Sequence, residues 1–177
     1  MHAPDSFRQQ LLAALPRLRR YARSLTFDPS TADDLVQTAL ARALSHWHQF
    51  DQRRDMLVWL LSIAHNAFLD QRRRDSRLAI VDPVVADALQ DAHRADPGAD
   101  VGLQLDLSAA LARLPLAQRE PLLLVGVEQR SCAECAEALG IPIGTVMSRV
   151  SRGRVALRAL LEGPSRADNV RTLRRVI

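Results

Sequence analysis

Lysine is absent from this chain: all 24 of its basic residues are arginine. That bias keeps open a nucleic-acid partner, because a planar guanidinium grips phosphate and guanine edges bidentately. Cysteine is nearly absent too. Cys132 and Cys135 alone cannot form a disulfide framework. No apolar run approaches the roughly 20 residues that a membrane span requires. The opening MHAPDSFRQQLLAAL lacks the basic start and unbroken apolar stretch of a secretory signal, so the expected compartment is the cytoplasm. Glycine does not occur before Gly98, and neither glycine nor proline interrupts Ser30 to Asp82. Such a stretch predicts helices with short connections. Aromatic residues make up only 4% and no segment alternates as a strand would, so the fold class is all-α.

What is present is a soluble-protein balance, 47% hydrophobic and 25% charged over 177 residues, enough for one or two domains. Charge is segregated along the chain. Residues 1–77 carry 12 arginines against 8 aspartates, residues 78–112 one arginine against 6 aspartates, and residues 138–177 8 arginines against 2 acids. The acidic stretch also holds Pro83, Pro97 and Gly98, a composition that buries little of itself. The expected organisation is therefore an N-terminal helical domain over 1–77, a flexible acidic linker over 78–106, a second helical domain over 107–163 and a basic tail over 164–177.

Within the first domain, a helix from about Phe7 to Leu25 must either accommodate Pro16 or begin there. Asp28 and Ser30 are both suitable N-caps for the next helix, whose Ala32, Leu35, Val36, Ala39, Leu40, Ala43, Leu44 and Trp47 recur at helical spacing. A third, more apolar helix runs through Met56, Trp59, Leu60, Ile63, Ala64, Ala67 and Phe68. Trp47 and Trp59 fall on apolar stripes and are read as core.

RSCAECAEALGIPIGTVMSRVSRGRVALRALL is the most informative segment. A short helix over about 131–139, a left-handed turn at Gly140 and a new helix near Pro142 make a helix-turn-helix, with Ala136 and Val146 at its crossing. In the second helix Val146, Val150, Gly153, Leu157 and Leu160 share one face, and Thr145, Ser148, Arg149 and Arg152 the other. That polar face suits base edges in a major groove, with Arg154 and Arg158 flanking for phosphates. The plainer alternative is an amphipathic hairpin with a solvated basic face. Cys132 and Cys135 lie one helical turn apart and read as buried thiols of the scaffold helix rather than a metal or redox pair. No metal site and no cofactor are expected. With scattered histidines, no nucleophile triad and no glycine-rich phosphate loop, the chain does not read as an enzyme.

LARLPLAQREPLLLVGVEQRSCAECAEALGIPIGTVMSRVSRGRVAL resembles region 4 of extracytoplasmic-function sigma factors. LRRYARSLTFDPSTADDLVQTALARALSHWHQF followed by MLVWLLSIAHNAFLDQRRR resembles region 2 of the same family, so the likeness spans about 17–161. The resemblance implies binding to bacterial core RNA polymerase, capture of the minus-ten promoter element by region 2 and reading of the minus-thirty-five duplex by region 4. It places core-polymerase contacts on Asp34, Gln37, Thr38, Ala41 and Arg42, with Thr38 standing where the family usually has glutamate. It places minus-ten contacts on Phe50, Arg53, Arg54, His65, Asn66, Arg72, Arg73 and Arg74, suited to extruded bases and a single-strand backbone. Minus-thirty-five contacts fall on Thr145, Ser148, Arg149, Arg152 and Arg154. By the same resemblance the acidic linker either threads toward an RNA path or serves as a solvated spacer. ADDLVQTALARAL and LLLVGVEQRS resemble the alphaproteobacterial general-stress-response branch, which implies an anti-sigma partner. Two other readings remain: an operator-binding regulator, and a sigma-like decoy for an anti-sigma factor.

Overall fold

The computed structural model describes residues 3–81 and 102–162, which form seven α-helices and no strand. They are α1 (Asp5–Thr26), α2 (Pro29–Ser45), α3 (Met56–Val81), α4 (Gly102–Arg113), α5 (Leu116–Gly126), α6 (Cys132–Leu139) and α7 (Ile143–Glu162), with a 3-10 turn at Trp47–Gln49. Most of the acidic linker and the basic tail lie outside the described residues. No described helix is long and apolar enough to cross a membrane.

Helix α1 continues through Pro16 without a break. The ring sits on the exposed side of the helix, so the carbonyl it leaves without an amide partner faces water. The opposite side buries Phe7, Leu11, Ala14, Leu18, Tyr21, Ala22 and Leu25 at three- and four-residue spacing. Phe27 closes the helix at φ 58° and returns its N–H to the Arg23 carbonyl. Of the two candidate caps for α2, Asp28 is the one used: its Oδ2 accepts from the Thr31 N–H at 2.6 Å. Helix α2 stops at Ser45, short of Trp47, which falls in the 3-10 turn. Asp55 starts α3 by accepting from the amides of Leu57 at 2.7 Å and Val58 at 3.3 Å.

In the second half a capping box opens α6, where Ser131 Oγ accepts from the Glu134 N–H and Glu134 Oε2 from the Ser131 N–H. Gly140 ends it at φ 63°, its N–H reaching the Ala136 and Glu137 carbonyls. Helix α7 then buries Val146, Val150 and Gly153. A Cβ at Gly153 would stand 3.2 Å from the Gln118 carbonyl oxygen, so α5 and α7 cross closely only because this position lacks a side chain.

The two halves are in contact, which composition alone does not suggest. Helix α1 packs on α5 and α3 on α6, and one apolar cluster runs from Leu18, Leu60 and Leu61 to Leu123, Leu124 and Cys135. Trp47 and Trp59 are half-buried against that cluster, in keeping with the core reading.

Candidate nucleic-acid interface

The recognition surface is built by the turn at Gly140, which launches α7 with its first two turns facing solvent. Ser148 and Arg152 are exposed, and Thr145 and Arg149 are half-buried at the edge of the same face. Ser148 Oγ donates to the Thr145 carbonyl at 3.0 Å, and Arg152 Nε to the Ser148 carbonyl at 3.3 Å, which holds the arginine along the helix. Arg154 and Arg158 are exposed on the flank. Sequence periodicity did not single out Ile143 and Met147, exposed at 49% and 58% beside this face. The available signal was their position off the buried stripe of α7. Apolar groups there suit thymine methyls.

The first half presents a more varied picture. Arg53, Asn66 and Arg74 are exposed. Arg72 lies with its guanidinium carbon 6.0 Å from the Phe68 ring centroid, and Arg73 pairs with Asp70 at 3.6 Å. Arg72, Arg73 and Arg77 line an open groove of about 370 Å³ with Leu69, Ser76 and Leu116. Phe50 departs from expectation. It is only 8% exposed, with its ring centroid 5.8 Å from that of Phe7 and 5.1 Å from that of Trp59. A ring committed to this aromatic cluster offers no face to an extruded base, so Phe50 is a core residue that anchors the loop. On α2, Asp34, Gln37, Thr38 and Ala41 form an exposed face that Leu44 extends. Arg42 is turned partly aside, its Nη1 donating to Asp70 at 3.1 Å.

Arg54 and His65 are occupied by the second half. Arg54 Nη2 pairs with Glu137 at 2.9 Å, and His65 Nδ1 lies 2.7 Å from Glu120 Oε1. Tyr21 donates its hydroxyl to the same Glu120 oxygen at 2.6 Å; burial and then the adjacent carboxylate push its pKa well above the ordinary phenol value. Glu128, with no exposed side-chain surface, takes Arg17 Nε at 3.2 Å and Arg20 Nε at 2.9 Å. Hydrogen bonding to Glu128, reinforced by its charge, raises the Arg20 pKa. Arg130 Nη1 bridges Asp55 and Glu134, each at 2.9 Å. Burial would raise the Asp55 pKa, but the Leu57 and Val58 amides and Arg130 outweigh it and hold the carboxyl below its usual range. Sequence reasoning missed this polar joint entirely.

Arg119 covers the Phe27 ring, its guanidinium carbon 5.1 Å from the centroid, while its buried Nε lacks a hydrogen-bond partner among the described residues. Burial, then the charge of Arg72, lowers its pKa. Cys135 is buried and its thiol is pushed up to about 12 by desolvation. Among the described residues, no group of three metal-ligating side chains is close enough to hold an ion.

Residues 11–78 match the family model of sigma-70 region 2, and residues 104–157 that of sigma-70 region 4. The chain is 39% identical over 163 residues to the ECF RNA polymerase sigma factor EcfG of Rhodopseudomonas palustris, covering 91% of this chain and 88% of that one. It is 30% identical over 142 residues to the ECF RNA polymerase sigma factor SigM of Bacillus subtilis, covering 80% and 86%. The sigma factor RpoE of Bartonella quintana, solved in complex with the anti-sigma factor NepR, superposes with a TM-score of 0.73 at 32% identity, covering 91% of this chain and 99% of that one. Because the two regions occur in order and the likeness to whole relatives runs across both, the chain belongs to the extracytoplasmic-function RNA polymerase sigma factors, non-enzymatic proteins that bind core RNA polymerase and promoter DNA to initiate transcription.

Proposed function

We propose that this sigma factor divides its work between a region 2 domain over 1–77 and a region 4 domain over 107–163, joined by the acidic segment 78–106 and followed by the basic segment 164–177. Asp34, Gln37, Thr38, Ala41 and Arg42 meet core polymerase. The exposure of the first four and the adjoining apolar Leu44 support that role. Arg53, Arg54, His65 and Asn66 capture the minus-ten strand, and Arg72, Arg73 and Arg74 carry its backbone. Thr145, Ser148, Arg149 and Arg152 read the minus-thirty-five duplex, with Arg154 on phosphate. The observation that carries this reading is the polar, arginine-bearing face at the start of α7, directed away from the core by the left-handed turn at Gly140.

The partner class follows from the relatives: the similar RpoE chain was solved with NepR, and an anti-sigma factor is the expected inhibitor of this chain as well. The segments ADDLVQTALARAL and LLLVGVEQRS, with the likeness to the alphaproteobacterial RpoE, support the general-stress-response branch, and family membership supports a cytoplasmic location. Adding the chain to bacterial core polymerase is expected to yield specific transcripts from two-element promoters. Arg149→Ala is expected to weaken minus-thirty-five binding by about 1–3 kcal/mol. Tight binding of the chain alone to a palindromic duplex, with no association with core enzyme, would instead make it an operator-binding regulator.

A further inference from the structure

The Cys132–Cys135 pair has no part in promoter reading, and its two thiols stand in unlike surroundings. Cys135 is 1% exposed, within the apolar cluster of Leu123 and Leu124. Cys132, the first residue of α6, is only half-buried. The reading of two buried thiols therefore holds for Cys135 alone. On a regular helix, residues three apart have Cα atoms about 5 Å from each other, inside the roughly 4.4–6.8 Å over which disulfides form. Their Cβ atoms, about 5–6 Å apart, exceed the roughly 3.5–4.5 Å that the bridge spans. A bridge therefore requires the first turn of α6 to tighten. That turn is the most deformable part of the helix, because its opening amides have no partner within the helix itself. It is held by the Glu134 N–H donating to Ser131 Oγ at 3.2 Å and the Cys135 N–H donating to the Ser131 carbonyl at 3.0 Å. Closing the bridge pulls on both bonds and draws Cys135 from the core.

We propose that Cys132 and Cys135 are a peroxide-sensitive dithiol, whose oxidation to a disulfide distorts the scaffold helix of the helix-turn-helix and withdraws region 4 from the minus-thirty-five element. Cys132 reacts first, since it alone reaches solvent. As the thiolate it attacks an oxygen of hydrogen peroxide and the O–O bond breaks. Cys132 is left as a sulfenic acid, and the departing hydroxide takes up the proton lost by the thiol and becomes water. The Cys135 sulfur then attacks the Cys132 sulfur, the S–O bond breaks, and hydroxide leaves with the Cys135 proton as a second water. The pair loses two electrons and one peroxide becomes two waters. Burial, then the neighbouring Cys132, pushes the Cys135 thiol up to about 12, so Cys135 waits as a thiol until its partner is oxidised. Its attack needs no exposure to solvent, only the tightening of one turn. In a reducing compartment such a bond is transient, as a regulatory disulfide must be. Helix α6 packs on α7, so a distorted α6 no longer supports the arginine-bearing face. The effect on promoters rests on the minus-thirty-five assignment above, whereas the disulfide does not.

The test uses the full chain, treated with hydrogen peroxide, freed of oxidant and only then mixed with core polymerase. Mass spectrometry is expected to show the loss of two hydrogens from the monomer and a Cys132–Cys135 cross-link in its peptides. The amides of 132–139 should exchange faster than in the reduced chain. Transcription from a two-element promoter should fall by about tenfold or more, while the chain still binds core polymerase. A thiol reductant should restore both exchange and transcription. Cys132→Ser, at the half-buried position, should transcribe as the reduced wild type does and be indifferent to peroxide. Cys135→Ser should stop at the sulfenic acid, which a sulfenic-acid trap would capture on Cys132. A wild-type chain that stays unmodified, is modified at Cys132 alone or is bridged to a second chain would overturn the dithiol. A disulfide that leaves transcription unchanged would overturn the switch. If the reduced wild-type chain yields no transcript, the assigned function falls, while mass and exchange still decide whether the bridge forms.

Discussion

Ser131 shows how much one side chain does at the entrance to the helix-turn-helix. Its hydroxyl accepts from the Glu134 amide at 3.2 Å, and Glu134 returns a bond to the Ser131 amide at 2.8 Å. The Ser131 N–H, and then the Ser131 hydroxyl donating to Glu134 Oε2 at 2.7 Å, hold the Glu134 carboxyl below its ordinary range. Ser131→Ala is expected to lower stability by about 1 kcal/mol, read as a shifted urea midpoint at constant slope. The two thiols one turn apart should differ sharply. With Cys135 pushed up to about 12 and its neighbour half-buried, a thiol reagent at about pH 8 should label Cys132 first and Cys135 only on unfolding. Equal labelling rates in the folded chain would contradict the burial described. Ser131, Gly140 and the α7 face were legible in the sequence because their partners lie within a few residues. Phe50 was not: polar neighbours on both sides made an anchored ring look like a surface one. Glu120 and Glu128 were illegible for the opposite reason, since Tyr21 and Arg20 stand 99 and 108 positions away and no local pattern announces them.

At the scale of elements, hydrophobic periodicity was sufficient to find the helices and identify their buried faces, but it did not decide how closely they approach. Gly153 illustrates the difference. Its place on the buried stripe of α7 was readable, whereas the Gln118 carbonyl that would stand 3.2 Å from an added Cβ belongs to another helix. Backbone cannot swing aside as a flexible side chain can. Gly153→Val is therefore expected to force α5 and α7 apart and to cost about 1–3 kcal/mol, despite the lower intrinsic helix propensity of glycine. Thermal unfolding would measure the loss, and a stability equal to wild type would show that α5 can yield. Pro16 marks the same limit from another side. Whether a proline kinks a helix, starts it or is simply passed through depends on which way its ring faces, and that is set by what α1 packs against.

For the molecule as a whole, the joint between halves should respond to acid, and Asp55 fixes the direction. Its carboxylate caps α3 and meets Arg130 at 2.9 Å across the joint. Because its folded pKa is lowered from 3.8, its contribution is fully present above that value and is lost as pH falls through the lower folded value. Protonation of Asp55 removes its ion pair with Arg130. Glu120, Glu128, Glu134, Glu137 and His65 also face the joint, and a control must isolate the part of Asp55. Asp55→Asn does so, since asparagine caps a helix nearly as well while lacking the charge. At neutral pH this variant is expected to exchange its joint amides faster than wild type. As the pH is lowered from about 6 through the lowered folded value, the wild-type rate, corrected for intrinsic exchange, should rise toward that of the variant, erasing the difference. Equal exchange in the two at neutral pH would mean that Asp55 acts only as a helix cap. The joint would then be held by the buried glutamates without help from its exposed rim.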